Sequence, residues 1–230
     1  MTAIIKHYAS EDALLSSFVP QIASQLSDAI ARRGHAYLVV SGGRTPVALF
    51  HQLRLLPMNW QKITVLLADD RWVDTTHADS NAALVREHLL KNQASSANFI
   101  NLLAGSESIE ADVTSANRRL AEIPTFDVVI LGMGDDGHTA SLFPCSEELQ
   151  EGLQTSAAVL AVTPQTAPHK RLSLSRSRLL NSRQLYVQLK GKSKAEVVEK
   201  ALAHSPTDSL PISHFLHQTE VPVQVLLADV

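Results

Sequence analysis

Residues 127–144 read DVVILGMGDDGHTASLFP. The opening run, 127–131, is apolar without polar alternation. Strands covered on both faces look like this, as in a parallel sheet between two helical layers. Glycines at 132, 134 and 137 follow at once, so the strand ends in a loop of unusual freedom. In open α/β sheets, ligands bind beyond the carboxyl ends of strands. This loop is therefore the first place to look for chemistry.

Working outward, similar Val, Ile and Leu runs stand at 4–5, 36–40, 63–68, 158–162, 184–189 and 221–227. Amphipathic stretches separate them. Residues 11–33 carry Leu14, Leu15, Phe18, Ile22, Leu26 and Ile30 at helical spacing, and Gly34 follows as a C-cap. Residues 46–55 open with Pro46 in the first turn behind a Thr45 cap. Residues 79–90, with an Asp or Ser cap, 108–123 and 193–203 complete the helices. Strands alternating with helices imply βαβ units and a doubly wound, mostly parallel sheet with helices on both faces, Rossmann-like. The Pro- and Ser-containing stretch 155–177 reads as a long surface excursion or a small added antiparallel hairpin. No repeat or linker interrupts the 230 residues, so one α/β domain spanning 1–230 is expected.

Composition narrows the function. The formal net charge is −3, from 20 Lys and Arg against 23 Asp and Glu. That balance argues against generic nucleic-acid binding, which needs a clustered basic excess. It leaves room for a small anionic substrate. No run approaches the ~18 apolar residues of a membrane span, and the opening MTAIIKHYASEDALL does not read as a signal peptide. The one cysteine, Cys145, has no intramolecular partner, so a reducing, cytoplasmic setting is expected. Beside Pro144 it reads as a small buried residue.

Three strand-end loops carry the candidate chemistry. After residues 36–40 comes Ser41-Gly42-Gly43-Arg44-Thr45-Pro46. Its glycines can bring bare N–H groups to a ligand at a helix start, a phosphate cradle to which Ser41 and Thr45 add hydroxyls. The same residues also suit a tight turn with no ligand. After 63–68 comes Asp69-Asp70-Arg71-Trp72-Val73. The planar fork of Arg71 suits a carboxylate or phosphate; an Asp–Arg ion pair closing the loop is the alternative. His77 and Asp79 lack a third metal ligand at short spacing.

In the third loop, Gly132 to Gly137 matches G-x-G-x-x-G literally. Asp135 and Asp136 would repel a pyrophosphate, however, and Pro144 leaves little room for a long helix. A different task fits better: the glycines hold His138 at the sheet edge with Asp136 beside it. A histidine side chain, with an ordinary pKa of ~6.5, offers a neutral imidazole near pH 7. It suits a general base, with Asp136 orienting the ring. The alternative is a histidine that satisfies loop hydrogen bonds. Gly191-Lys192-Ser193 imitates a Walker loop, but Tyr186 stands where its first glycine belongs. There is no H-E-x-x-H or C-x-x-C, so neither metal nor cofactor is expected.

Taken together, SGGRTP, DDRWVDTTHADSN and GMGDDGHTASLFP, in this order and each after a strand, closely resemble the 6-phosphogluconolactonases. The likeness continues through His169-Lys170-Arg171-Leu172-Ser173-Leu174-Ser175 and Gly191-Lys192-Ser193-Lys194-Ala195. The first motif is shared with the glucosamine-6-phosphate deaminases and sugar-phosphate-sensing regulators. The resemblance implies metal-independent hydrolysis of 6-phospho-D-glucono-1,5-lactone to 6-phospho-D-gluconate, the second step of the oxidative pentose phosphate pathway. By position, His138 matches the family's catalytic histidine and Arg71 the arginine of its Asp-Glu-Arg motif. Arg171 and Lys194 match cationic positions of its substrate pocket. Residues Ser41 to Thr45, Arg171 and Lys194 would hold phosphate, while Arg71 or loop N–H groups would stabilise charge on the lactone carbonyl. Departures are Arg44 for the usual Ser, Asp70 for Glu and Asp74 for a common Pro.

A small-molecule sugar-phosphate substrate is thus the expected partner, with no nucleic acid, no membrane and a monomeric or weakly dimeric chain. The deaminases follow their loop histidine with Asn-Glu-Pro, whereas Ser141-Leu142-Phe143-Pro144 stands here. A sensing regulator would need a DNA-binding module, for which the stretch before Ala36 is too short.

Overall fold

The computed structural model describes residues 3–229. Its main sheet contains β1 (Ile4–Tyr8), β2 (Ala36–Val40), β3 (Ile63–Leu67), β5 (Asn98–Ile100), β6 (Val128–Leu131), β9 (Leu185–Lys190) and β10 (Val223–Ala228). The order is β1-β10-β9-β6-β2-β3-β5, and every neighbouring pair is parallel. All residues of β3 and β6 are buried, as the lack of polar alternation requires. The fold is a doubly wound α/β sheet with a small antiparallel sheet attached.

The helices are α1 (Glu11–Arg33), α2 (Val47–Leu53), α3 (Asn81–His88), α4 (Ile109–Ala121), α5 (Leu149–Gln154), α6 (Arg176–Leu180), α7 (Lys192–Ala203) and α8 (Ser213–Leu216). In α1, Ser10 caps the start by accepting from Ala13 N at 3.1 Å. Gly34 closes it at φ 79°, a left-handed conformation that costs glycine little. Its buried stripe runs through Leu14, Leu15, Phe18, Val19, Ile22, Leu26 and Ala29. Ile30, expected on that stripe, is only partly buried.

Two local expectations need correction, and one strand went unread. Thr45 does not cap α2; Pro46 occupies the cap position without a side-chain hydrogen bond, and the helix is shorter than expected. Asp69–Arg71, read as loop, forms β4. Asn98–Ile100 forms an edge strand that its polar start concealed. The 155–177 stretch resolves as the hairpin alternative: β7 (Val159–Val162) pairs antiparallel with β8 (Arg171–Leu174), and β8 pairs antiparallel with β4.

This topology dictates where a ligand can sit. From β2 the chain runs outward through β3 and β5, then returns to β6 on the other side of β2 and proceeds to β9 and β10. The connections leaving β2 and β6 therefore diverge, which opens a crevice at their carboxyl ends. The Ser41 and His138 loops face each other there. The small sheet borders the crevice: β4 follows β3 almost directly, and its Arg71 and the Arg171 of β8 line the cavity there.

Candidate active site

A cavity of about 300 Å³ occupies this crevice. Ser41 through Thr45 form one wall, and Gly132 through Gly134 with His138 form another. Arg71 and Arg171 enter from the small sheet, and Lys194 from the first turn of α7. The structure thus brings Ser41 to Thr45, Arg71, His138, Arg171 and Lys194 together, while Asp136 touches the His138 ring without lining the cavity. Gly43 adopts φ 91°. Gly42 is demanded by space: a Cβ there would collide with the Asn81 side chain, which lines the same wall.

The His138 loop closes on itself through Gly134 N to His138 O at 2.9 Å and Gly137 N to Gly134 O at 3.1 Å. The turn needs Gly137 at φ 77°. His138 Nδ1 donates to Asp136 Oδ1 at 2.5 Å, and His138 N donates to the same oxygen at 3.1 Å. That tautomer is assigned from the network; it leaves Nε2 as the nitrogen able to take a proton. The ring stacks on Phe143 with centroids 4.0 Å apart. Burial pushes the Asp136 carboxyl up, but the His138 N–H, its charge and a backbone N–H outweigh that and hold it below its ordinary range.

Arg71 and Arg171 are directly paired across β4 and β8. Like charges so placed repel, so each needs compensation. Arg171 is 6% exposed. Its guanidinium lies over Phe143 at 5.0 Å, and its Nη1 is 3.9 Å from Asp69 Oδ2. Burial lowers its pKa while Asp69 opposes the shift. Arg71 Nη1 donates to the Asp79 carbonyl at 2.6 Å. Nε of both arginines is buried without a hydrogen-bond partner. Lys194 Nζ pairs with Asp135 Oδ1 at 2.8 Å, which holds the Asp135 carboxyl below its ordinary range. The negative loop is therefore neutralised from α7. Arg44 is exposed and enters no ion pair among the described residues.

The alternative reading, an Asp70–Arg71 ion pair, does not occur among the described residues. The Asp70 carboxylate is fully buried and points to the start of α3. Oδ1 accepts from Arg71 N at 2.8 Å and Asn81 N at 2.6 Å; Oδ2 accepts from Ala82 N at 3.1 Å and Ser80 Oγ at 3.3 Å. It caps a helix whose free N–H groups require an acceptor. Asp69 instead lines the cavity, accepting from Ser141 Oγ at 2.5 Å.

Two cavity residues escaped sequence reasoning. Asn81 donates from Nδ2 to the Asp69 carbonyl at 2.8 Å. Gln188 sits within β9 with its Oε1 buried and unpartnered; a lone amide inside an apolar strand was its only signal. Cys145 is partly exposed, contrary to the buried position expected. Among the described residues, no three His, Cys, Asp or Glu side chains are arranged to hold a metal ion, and no helix is long and apolar enough to cross a membrane.

Residues 9–224 match the family described as glucosamine-6-phosphate isomerases/6-phosphogluconolactonase. The chain is 40% identical over 221 residues to a 6-phosphogluconolactonase of Pseudomonas putida, covering 94% of this chain and 91% of the relative. It is 44% identical over 199 residues to one from Pseudomonas aeruginosa, covering 85% and 84%. Among solved structures, a 6-phosphogluconolactonase from Shewanella baltica superposes with a TM-score of 0.96 at 44% identity, covering 98% of this chain and 97% of the other. A monomeric glucosamine-6-phosphate deaminase superposes with a TM-score of 0.83 at 19% identity, covering 98% and 97%, a likeness of fold alone.

Proposed function

The chain belongs to the glucosamine-6-phosphate isomerase/6-phosphogluconolactonase family, and on that footing we propose that it hydrolyses 6-phospho-D-glucono-1,5-lactone to 6-phospho-D-gluconate with His138 as general base. One observation carries the reading. The His138 ring lines the cavity that Arg71, Arg171 and Lys194 also line, and its Nδ1 is committed to Asp136.

In this mechanism the phosphate lies among the Ser41–Thr45 loop, Arg171 and Lys194, which fixes the lactone ring. His138 Nε2 takes a proton from water as the water oxygen bonds to the lactone carbonyl carbon. The resulting imidazolium is stabilised by the Asp136 carboxylate. Charge on the former carbonyl oxygen is met by Arg71 or by loop N–H groups. As the bond from that carbon to the ring oxygen breaks, the His138 proton passes to the departing oxygen. The product is an open-chain acid, which ionises in neutral water. Lactones hydrolyse measurably unaided, so one base worth ~10²–10⁴-fold together with positioning is adequate.

The test is acid release from freshly prepared lactone, corrected for spontaneous hydrolysis. The wild-type protein should accelerate it. His138→Ala should lose ~10²–10⁴-fold in kcat and still bind 6-phosphogluconate. Near-full turnover by that variant would remove His138 from the chemistry.

A further inference from the structure

Beside the cavity, the loop 72–80 meets the turn preceding β8. Asp79 holds the junction. Its carboxylate Oδ2 accepts from His169 Nε2 at 3.0 Å and lies 3.8 Å from His77 Nδ1. Its backbone N–H donates to His77 Nδ1 at 3.1 Å, and its backbone carbonyl accepts from Arg71 Nη1 at 2.6 Å. One residue is thus gripped by its amide and its side chain, and in turn grips the arginine of the cavity through its carbonyl.

His169 makes this contact from a costly backbone. Its φ is 69°, in the left-handed region that favours glycine. Such strain persists only where surrounding contacts enforce it, and it points toward function when it borders a site. The His169 ring has no other hydrogen-bond partner than Asp79 among the described residues. Arg71 is equally short of alternatives: among the described residues its Nε is buried and unpartnered, and its only side-chain hydrogen bond runs to the Asp79 carbonyl. The aim of the guanidinium therefore depends on where Asp79 stands, and Asp79 is tied to the turn preceding β8 by His169.

We propose that His169 is a positioning residue which, by holding the Asp79 carboxylate, sets the backbone carbonyl that aims Arg71 into the cavity. This rests on the reading above, in which Arg71 meets charge developing on the lactone carbonyl. A guanidinium freed from its anchor still carries its charge but loses its alignment. The loss belongs to kcat, since phosphate is bound elsewhere in the cavity.

His169→Gly removes the imidazole and installs the residue that this φ prefers. If the ring served only to stabilise the turn, kcat would be unchanged. The proposal expects a thermal midpoint close to wild type, a kcat lower by about 10²-fold and a nearly constant KM. His169→Asn, which also tolerates the left-handed region but is too short to reach Asp79, should behave alike if glycine loosens the turn. The decisive comparison adds Arg71→Met. Because His169 acts through Arg71, the double variant should be no slower than Arg71→Met alone. Wild-type kcat in both His169 variants, or losses that multiply with that of Arg71→Met, would overturn the positioning role and leave the activity standing. A wild-type protein inert toward the lactone would overturn both.

Discussion

His138 Nδ1 and Asp136 Oδ1 lie 2.5 Å apart, and the same carboxylate oxygen accepts the His138 backbone N–H at 3.1 Å. One oxygen thus fixes both the ring and the backbone that carries it. The contact spans two residues, so it is built into the loop rather than assembled from distant parts.

Asp136→Asn should lower kcat by about 10–10²-fold, because a neutral amide no longer stabilises the imidazolium formed as the base takes its proton. The Asp136 carboxyl is held below its ordinary 3.8. The sign for stability follows. A lowered folded-state value contributes stability that is complete above 3.8 and disappears as pH falls through the lowered value. Urea titrations of wild type and variant should therefore converge as pH is taken from 5 to 2.

Gly134→Ala should inactivate the protein without unfolding it. A Cβ at this position would strike the His138 ring and the Asp136 carboxylate together. The chain would yield by moving that pair, and about 10²-fold or more in kcat should go with it. Circular dichroism should stay native. An active Gly134→Ala would show that the pair need not stand where it does.

Lys194 and Asp135 make a prediction of opposite signs. Lys194→Ala should raise KM about 10–10²-fold for the phosphorylated lactone, as expected for one charge-assisted hydrogen bond, and change it little for unphosphorylated gluconolactone. Asp135→Asn releases Lys194 from its 2.8 Å ion pair and removes a negative charge from the cavity rim. KM for the phosphorylated substrate should then fall. Steady-state kinetics on the two lactones separate these effects from general damage.

Asp70→Asn tests the helix cap. An amide can accept at one end only, so its NH₂ would face the Ala82 N–H or the Asn81 N–H. At least one buried donor is left unpaired, at a cost of about 1–3 kcal/mol. Burial pushes the Asp70 carboxyl up to about 6, against the hydrogen bonds that favour its charge. A raised folded-state value contributes stability that is complete below 3.8 and is lost as pH rises through about 6. The gap in stability between wild type and variant should accordingly narrow between pH 4 and pH 7.

Much of the architecture was legible before any coordinates. Runs such as 36–40 and 127–131 lack polar alternation, as strands covered on both faces in a parallel sheet do. Ser80, one of the two caps read for the helix at 79–90, does cap it, because a hydroxyl beside free N–H groups is a local solution. β4 was not legible, because Asp69-Asp70-Arg71 has no strand-like composition. Its pairing comes from Arg171–Leu174, far along the chain. Thr45 looked like a cap and is not one: Pro46 holds the cap position, and Thr45 lines the cavity.

The sequence by itself determined the parallel sheet, the glycine-bearing loops at its edge, and the nearness of His138 to Asp136. Each follows from burial or hydrogen bonding among residues a few positions apart. Folding of the whole chain was needed to see that Asn81 and Gln188 share the cavity of Arg71, Arg171, Lys194 and that histidine, that Asp70 caps α3, and that His169 reaches Asp79. Those meetings depend on strand order and on how the small sheet folds over the switch point. Long-range packing selects such arrangements from the whole chain at once, and no local spacing encodes them.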